Sequence, residues 1–361
     1  MFSMCLCGEK KSVFIIILLL IFSQKNFAQI GGRNTFNFLN LTPNARTVGV
    51  GGTNVSLAHG DVNMFVNNPA LLDSTMVGKG SFNFTSFYAG VPHTSLNYVH
   101  NSKKIGLLGF GLQYISYGKM IQTDASGNVL GDFSARDFAL YASHARTSNN
   151  FSVGITAKLV MSGIAGYNAA AVAMDLGGTF KHPTKDLTVG ITLKNIGFAF
   201  KSYFGKTNMP FDAQIGASYK PKNMPVRFSL TTHHLQRFDI AYNDPNATTT
   251  DINTGKETAK TIGFADKFFR HWIVGIEFVL SKNFNILFGY NHLINRDLRD
   301  KNAAGTSGFS AGFRVSIKKI DFAYSRAGFH AAGGRNYLTI SLNLKNTFSK
   351  KIKEEETTIT N

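Results

Sequence analysis

The sequence predicts an all-β fold: a transmembrane antiparallel β-barrel of about fourteen strands, with an N-terminal segment folded into its mouth. Three observations predict it. An apolar leader of secretory type opens the chain, period-two alternation of apolar and polar residues runs on from Ser81, and the connections between strands are tight and long by turns.

The leader comes first. Lys10 and Lys11 form a basic stretch, Val13–Phe22 an apolar one, and Ser23–Ala28 a polar one ending Asn26-Phe27-Ala28. This is the order of a secretory signal, so residues 1–28 are expected to be cleaved off after Ala28, leaving Gln29 as the first mature residue. The apolar run is too short for a membrane anchor, which takes about 20 residues. Both cysteines, Cys5 and Cys7, precede that run. Neither can be a lipid attachment site, and the mature chain has no thiol for a disulfide, a metal or a covalent intermediate.

Composition agrees with a barrel. Of 361 residues only 16% are charged, whereas glycine (35) and phenylalanine (32) are plentiful. The apolar residues are dispersed, as they must be where lipid-facing and lumen-facing positions alternate.

The alternation is clearest in Phe151, Val153, Ile155, Ala157, Leu159 and Met161, set against Ser152, Gly154, Thr156 and Lys158. Val274, Ile276 and Phe278 likewise oppose Gly275 and Glu277, and Leu338, Ile340 and Leu342 oppose Thr339 and Ser341. Strands are expected at 81–89, 94–101, 105–117, 132–146, 151–161, 169–181, 186–196, 211–220, 225–234, 271–281, 284–291, 308–318, 320–326 and 335–345. Most have the length of a tilted bilayer crossing, about 9 to 11 residues. Together with the residues between them they make a barrel over residues 78–345.

Every second connection is tight: Ser102–Lys104, Thr147–Asn150, His182–Lys185, Pro221–Pro225, Lys282–Asn283 and Lys318–Lys319. Most of the others are long: Gly118–Gly131, Gly197–Pro210, Leu235–Arg270 and Leu293–Ser307. A soluble sandwich has no reason to sort its loops by parity. An outer-membrane barrel does, with short periplasmic turns and long extracellular loops. Both termini, including a charged tail over residues 346–361, are then expected in the periplasm.

Residues 29–77 do not alternate. They hold Gly31-Gly32, Phe36-Asn37-Phe38-Leu39, Ala45-Arg46, Gly51-Gly52 and Asn68-Pro69-Ala70. Asn-Pro favours a turn and paired glycines permit close backbone approach. The segment is too apolar to hang free, so it reads as a plug or hatch in the barrel.

Taken in order, Gly31-Gly32, Phe38-Leu39, Ala45-Arg46, Gly51-Gly52 and Asn68-Pro69-Ala70 closely resemble the PorQ-like barrels of the type IX secretion system, relatives of the PorV and FadL-type barrels. Later matches are Arg270-His271 with Gly275 and Glu277, Gly289-Tyr290-Asn291-His292, and Tyr324-Ser325-Arg326 followed by His330 and Gly333-Gly334. The resemblance implies a non-enzymatic component of the outer-membrane attachment complex. Its implied partners are a PorZ-like surface protein, with PorU- and PorV-like proteins beyond it, and outer-membrane lipid with its anionic lipopolysaccharide. The alternative it implies is a FadL-like channel for passive uptake of hydrophobic small molecules.

The residues themselves suggest no catalysis. A catalytic site needs a nucleophile, a base and an orienting group within reach, and the histidines are scattered. His233 and His234 are adjacent, so on a strand they point to opposite faces and are not expected to share a metal. No cofactor and no metal site are expected. Net charge is +17, with Lys103, Lys104, Lys185, Lys220, Lys222, Lys282, Lys318 and Lys319 on or beside the tight turns. Such clusters are solvated turn charge or a rim seated on anionic headgroups, and they leave no compact basic domain for nucleic acid. The candidate partner surface is the Leu235–Arg270 insertion, whose return carries Phe264, Phe268 and Phe269. An ordered lid over the barrel's own mouth is the equal alternative.

Overall fold

A computed structural model describes residues 35–344 apart from 88–89, 204, 206, 242–247, 251–256, 260–261, 299–305 and 331–332. The leader, Gly31, Gly32 and the charged tail lie outside the described residues.

Fourteen strands close into one antiparallel barrel. They are β1 (Lys79–Ser86), β2 (Pro92–Ser102), β3 (Gly106–Thr123), β4 (Val129–Ser148), β5 (Phe151–Ile164), β6 (Tyr167–Lys181), β7 (Asp186–Lys201), β8 (Asp212–Lys220), β9 (Val226–Thr232), β12 (Trp272–Val279), β13 (Phe284–Asn291), β14 (Phe309–Ile317), β15 (Ile320–His330) and β16 (Gly333–Asn343). Strands β10 (Thr248–Thr250) and β11 (Glu257–Ala259) form a separate ribbon in the connection between β9 and β12. Each barrel strand pairs with its neighbour in the chain, and β1 closes the ring on β16, with Phe82 opposite Ile340. Closure satisfies the backbone of every strand without a free edge. All fourteen strands expected from the alternation are present.

The faces are the reverse of a soluble protein's. Along β5, Val153, Ile155 and Met161 are exposed, while Ser152, Thr156, Lys158 and Ser162 are buried. The same holds around the ring, with Leu96, Phe110, Ile191, Ile215, Phe228, Phe288 and Ile340 facing outward. An apolar surface that continuous, on a closed barrel with a polar interior, is the surface of a membrane-spanning barrel.

Connections at one end are the six tight turns read from the sequence. At the other end the reading needs correcting in two places. Gly118–Gly131 is no loop: β3 and β4 stay paired up to Thr123 and Val129, so the hairpin runs on past the length of a bilayer crossing. Its tip is an Asx turn in which Asp124 Oδ1 accepts from the backbone of Ser126 (2.9 Å) and Asn128 (2.8 Å). Gly197–Pro210 is likewise shortened, because β7 extends to Lys201. The link between β5 and β6 is as tight as any at the opposite end. Its two residues, Ala165 and Gly166, have φ of +50° and +85°, the values of a type I′ hairpin turn.

The hydrophobic core lies inside the barrel and is supplied mainly by the plug. Val50, Leu57, Met64, Phe65, Leu71 and Leu72 pack with Val99, Ala145 and Leu287 of the wall. Phe36, Phe38 and Leu39 pack on Ile115, Tyr141 and Val160. Ala45 and Val48 pack on Ala323, Ala327 and Tyr337.

Candidate functional site

The plug is built from short helical pieces, three of which are started by a polar side-chain cap, Asn44, Asn68 and Asp73. Asn44 caps the helix Ala45–Gly49, its Oδ1 accepting from Thr47 N at 2.8 Å, and the Ala45 amide donates to Thr339 Oγ1 of β16 at 2.9 Å. Asn68 caps the 3₁₀ turn Pro69–Leu71, where proline at the first position needs no amide partner. Its Oδ1 accepts from Ala70 N (3.0 Å), while its Nδ2 donates to Val55 O (2.9 Å) and faces Gly178 O and Ile191 O (both 3.3 Å). One asparagine therefore ties the plug to itself and to β6 and β7. Asn63 does the same at β1 and β2: its Oδ1 accepts from Ser81 Oγ (2.7 Å), Asn83 Nδ2 (2.8 Å) and Asn97 Nδ2 (2.8 Å).

Asn68→Ala is expected to lower stability by about 1–3 kcal/mol, because buried carbonyls lose their donor. Asn68→Asp should cost more than alanine, since it offers no donor and places a carboxylate against those same carbonyls. Urea unfolding of the detergent-folded protein checks the order. Equal stability of the aspartate and wild-type forms would contradict the assignment.

A buried ion network fixes the plug at a second point. Arg46, which is 1% exposed, meets Glu277 of β12 through Nε (3.2 Å) and Nη2 (3.0 and 3.1 Å), and its Nη1 faces Asp61 at 3.6 Å. Glu277 also accepts from Arg227 Nη1 of β9 (2.5 Å) and Asn285 Nδ2 of β13 (3.0 Å). Arg227 continues to Asp186 at 3.2 Å. Ion pairs withdrawn from water persist only when every charge is met, which this arrangement achieves.

Glycines of the wall make the seats. A Cβ on Gly177 of β6 would lie 2.1 Å from Asn68 Oδ1, and one on Gly154 of β5 would lie 2.4 Å from the Pro69 carbonyl carbon. A Cβ on Gly289 of β13 would lie 2.1 Å from Gly51 N. Gly51 and Gly52 themselves have φ of +106° and +94°, a backbone open to glycine and closed to most other residues.

The described residues of the N-terminal motifs singled out from the sequence thus gather in the lumen. Phe38 and Leu39 are buried, Ala45 and Arg46 touch the wall, Gly51 and Gly52 turn the chain, and Asn68, Pro69 and Ala70 sit in the glycine seats. Sequence reasoning missed Asn63, Arg227 and the role of the seat glycines.

Phe264, Phe268 and Phe269 come together on a short helix, Phe264–Phe269, and all three are exposed. Phe238 stacks on Phe264 (centroids 5.2 Å apart), and Phe268 lies 5.5 Å from the ring of Trp272. Asp266 braces this helix against the next connection's helix, His292–Leu298. It accepts from Arg270 Nε (3.1 Å) and pairs with His292 (3.2 Å) and Arg296 (2.9 Å), while Arg270 also bonds Asp297. Burial works to raise the Asp266 carboxyl, but the facing Arg270, His292 and Arg296 together hold the group below its ordinary value. Asp297 goes the other way, raised chiefly by burial.

One expectation is corrected here. His233 and His234 were expected on opposite faces and unable to meet one ion. Strand β9 ends at Thr232, and His234 has φ of +56°, so strand alternation no longer applies to the pair. Both rings turn together, Nδ1 to Nδ1, and converge with Asp212 at the start of β8. The three line a lumen cavity of about 220 Å³ that is also lined by Gln113, Lys158, Lys194 and Gln214.

Fold and lumen together define a plugged, fourteen-stranded outer-membrane-type barrel. No protein-family model matches the chain, and no curated protein matches it. Among solved structures it is similar in shape to a Pseudomonas aeruginosa FadL homologue, at 11% identity and TM-score 0.43, over 83% of this chain and 98% of that one. It is also similar to Omp33 of Acinetobacter baumannii (8% identity, TM-score 0.35, 73% and 96% covered) and to CdiB of the same organism (10%, 0.35, 73% and 59%). The fold assignment rests on the chain's own strand pairing.

Proposed function

We propose that the protein is an outer-membrane component of the type IX secretion machinery, a non-enzymatic barrel that holds a PorZ-like surface protein. Through that partner it anchors the complex joining secreted cargo to anionic lipopolysaccharide. The observation that carries this reading is the occupied lumen: residues 35–77 are packed in the barrel as a protein core is packed, and the Arg46–Glu277 pair is sealed beneath them. A barrel filled in this way works through its loops rather than its bore. The PorQ-like string adds to the reading, because its described residues, from Phe38 to Ala70, are among those that cap, turn and pack the plug.

In this orientation the leader is removed, the tight turns and both termini are periplasmic, and the Phe264–Phe269 helix faces the cell exterior with its rings available to a partner. The turn lysines then line the periplasmic rim, where anionic headgroups attract basic residues by about 1 kcal/mol each.

Affinity capture from solubilised outer membranes tests the proposal. A PorZ-like surface protein, accompanied by PorU- and PorV-like proteins, is expected with the wild type. Recovery should fall several-fold with the triple change Phe264→Ala, Phe268→Ala and Phe269→Ala. Recovery of none of them contradicts the anchor. Rapid flux of a hydrophobic solute through barrels in liposomes would instead favour the FadL-like channel, a reading opposed by the plug that fills the lumen.

A further inference from the structure

We infer that Asp212, His233 and His234 form a binding site for a divalent late transition-metal ion, of which Zn²⁺ is the type, at the mouth of the lumen. The ligand atoms of the three residues lie within 4.8 Å of one another. Two imidazole nitrogens and a carboxylate oxygen are a donor set that zinc takes readily, with a fourth position left for water. The adjoining cavity has room for that water.

Four features make this more than a chance cluster. The Nδ1 atoms of His233 and His234 face each other in direct contact. One ring can donate its Nδ1–H to the other, and a cation set between the two nitrogens can take the place of that proton. Second, His233 Nε2 is buried without a hydrogen-bond partner among the described residues. Third, Asp212 is oriented from two sides: Oδ1 accepts from His234 N and Oδ2 from Gln214 Nε2, both at 2.6 Å. Such outer contacts aim ligating carboxylates in metal sites. Fourth, His234 holds a left-handed backbone, a conformation that persists at functional positions when the surroundings enforce it.

His271 is not a ligand. Its Nδ1 faces His233 O (2.8 Å) and its Nε2 faces Phe238 O (3.0 Å), so both nitrogens are occupied. Lys194, the register partner of Asp212, lines the same cavity. An ammonium nearby weakens a hard cation such as Ca²⁺, which relies on carboxylate charge, more than an ion bonded by two imidazoles. The bound ion would clamp the start of β8 to the end of β9. His271 would carry that rigidity to Phe238 and the aromatic helix beyond.

The test uses tag-free, detergent-folded full-length protein stripped with EDTA. Zn²⁺ is titrated by calorimetry, and Co²⁺ is added as a spectroscopic probe. One ion per chain is expected, with a ligand-field spectrum of low coordination number. His234→Asn keeps a residue tolerant of positive φ, and Asp212→Asn keeps the acceptor for His234 N. Each should weaken binding at least tenfold, and His292→Asn should leave it unchanged. Circular dichroism of the metal-free forms confirms that each variant is folded. Absence of stoichiometric binding by the wild type, or equal affinity in folded His234→Asn and Asp212→Asn, overturns the proposal.

Discussion

Glu277→Gln should destabilise the folded barrel by about 3–5 kcal/mol, the usual result of removing one partner from a buried ion pair. The exchange keeps the shape of the side chain and one acceptor oxygen but sets an NH2 donor against a facing donor in place of the other, so the measured change reports the lost charge together with one lost acceptor. Without the carboxylate, Arg46 keeps only the longer Asp61 contact, and Arg227 keeps Asp186 at the more exposed edge of the network. Arg46→Met should cost less, because Glu277 retains Arg227 and Asn285 and the lost guanidinium is replaced by an apolar chain. Trp272, the chain's single tryptophan, begins β12 and so reports on the strand that carries Glu277. Urea unfolding followed by its fluorescence should rank wild type, Arg46→Met and Glu277→Gln in falling order. A Glu277→Gln loss below about 1 kcal/mol, the value of a solvent-screened pair, would show that the pair is not buried as described.

Gly177→Val should dislodge the plug while leaving the barrel closed. Its Cβ alone would sit 2.1 Å from Asn68 Oδ1 and 2.9 Å from Pro69 Cδ, and the two further methyl carbons of valine have no better place to go. Overpacking of a rigid core commonly costs about 1–3 kcal/mol. Here it also breaks the Asn68 bonds, so about 3 kcal/mol or more is expected from the two causes together. Neither side can easily yield: the strand is held by β5 and β7, and the plug by its own backbone bonds. Gly178→Val is the matched control. A Cβ at that position meets only the Ile191 methyl at 3.3 Å, on the outer face. Limited trypsin digestion should cut the Gly177→Val form at Arg46 while its barrel keeps its folded gel mobility. Wild type and Gly178→Val should resist. Equal resistance of all three would mean that the plug does not rest on the glycine seat.

The barrel was legible in the sequence because lipid on one side and packed plug on the other enforce period two along every crossing. Where that two-sided pressure ends, legibility ends with it. The β3–β4 hairpin continues past Ser116 with register irregularities, and its glycines and Asp124 read as loop although the strands remain paired. Glu277 was legible as an inward residue from its alternation with Val274, Ile276 and Phe278. Its partners were not, since Arg46 and Arg227 are brought to it by closure and plugging rather than by spacing. The seat glycines show the same limit: Gly154 and Gly177 look like ordinary small residues of a strand until the plug is placed on them. The histidine pair failed for a different reason. Whether His233 and His234 diverge or converge depends on one backbone angle just beyond the end of β9. Asp212 joins them only because β8 and β9 are paired.

The central claim is that residues 35–77 are the barrel's core rather than a loose inlet, and hydrogen exchange tests it most directly. In the detergent-folded protein, peptides covering Asn44–Leu72 should exchange as slowly as those of β5 and β6, and far more slowly than the Asp124–Asn128 tip. Exchange of Asn44–Leu72 at the rate of that tip, with the strands still protected, would contradict the account.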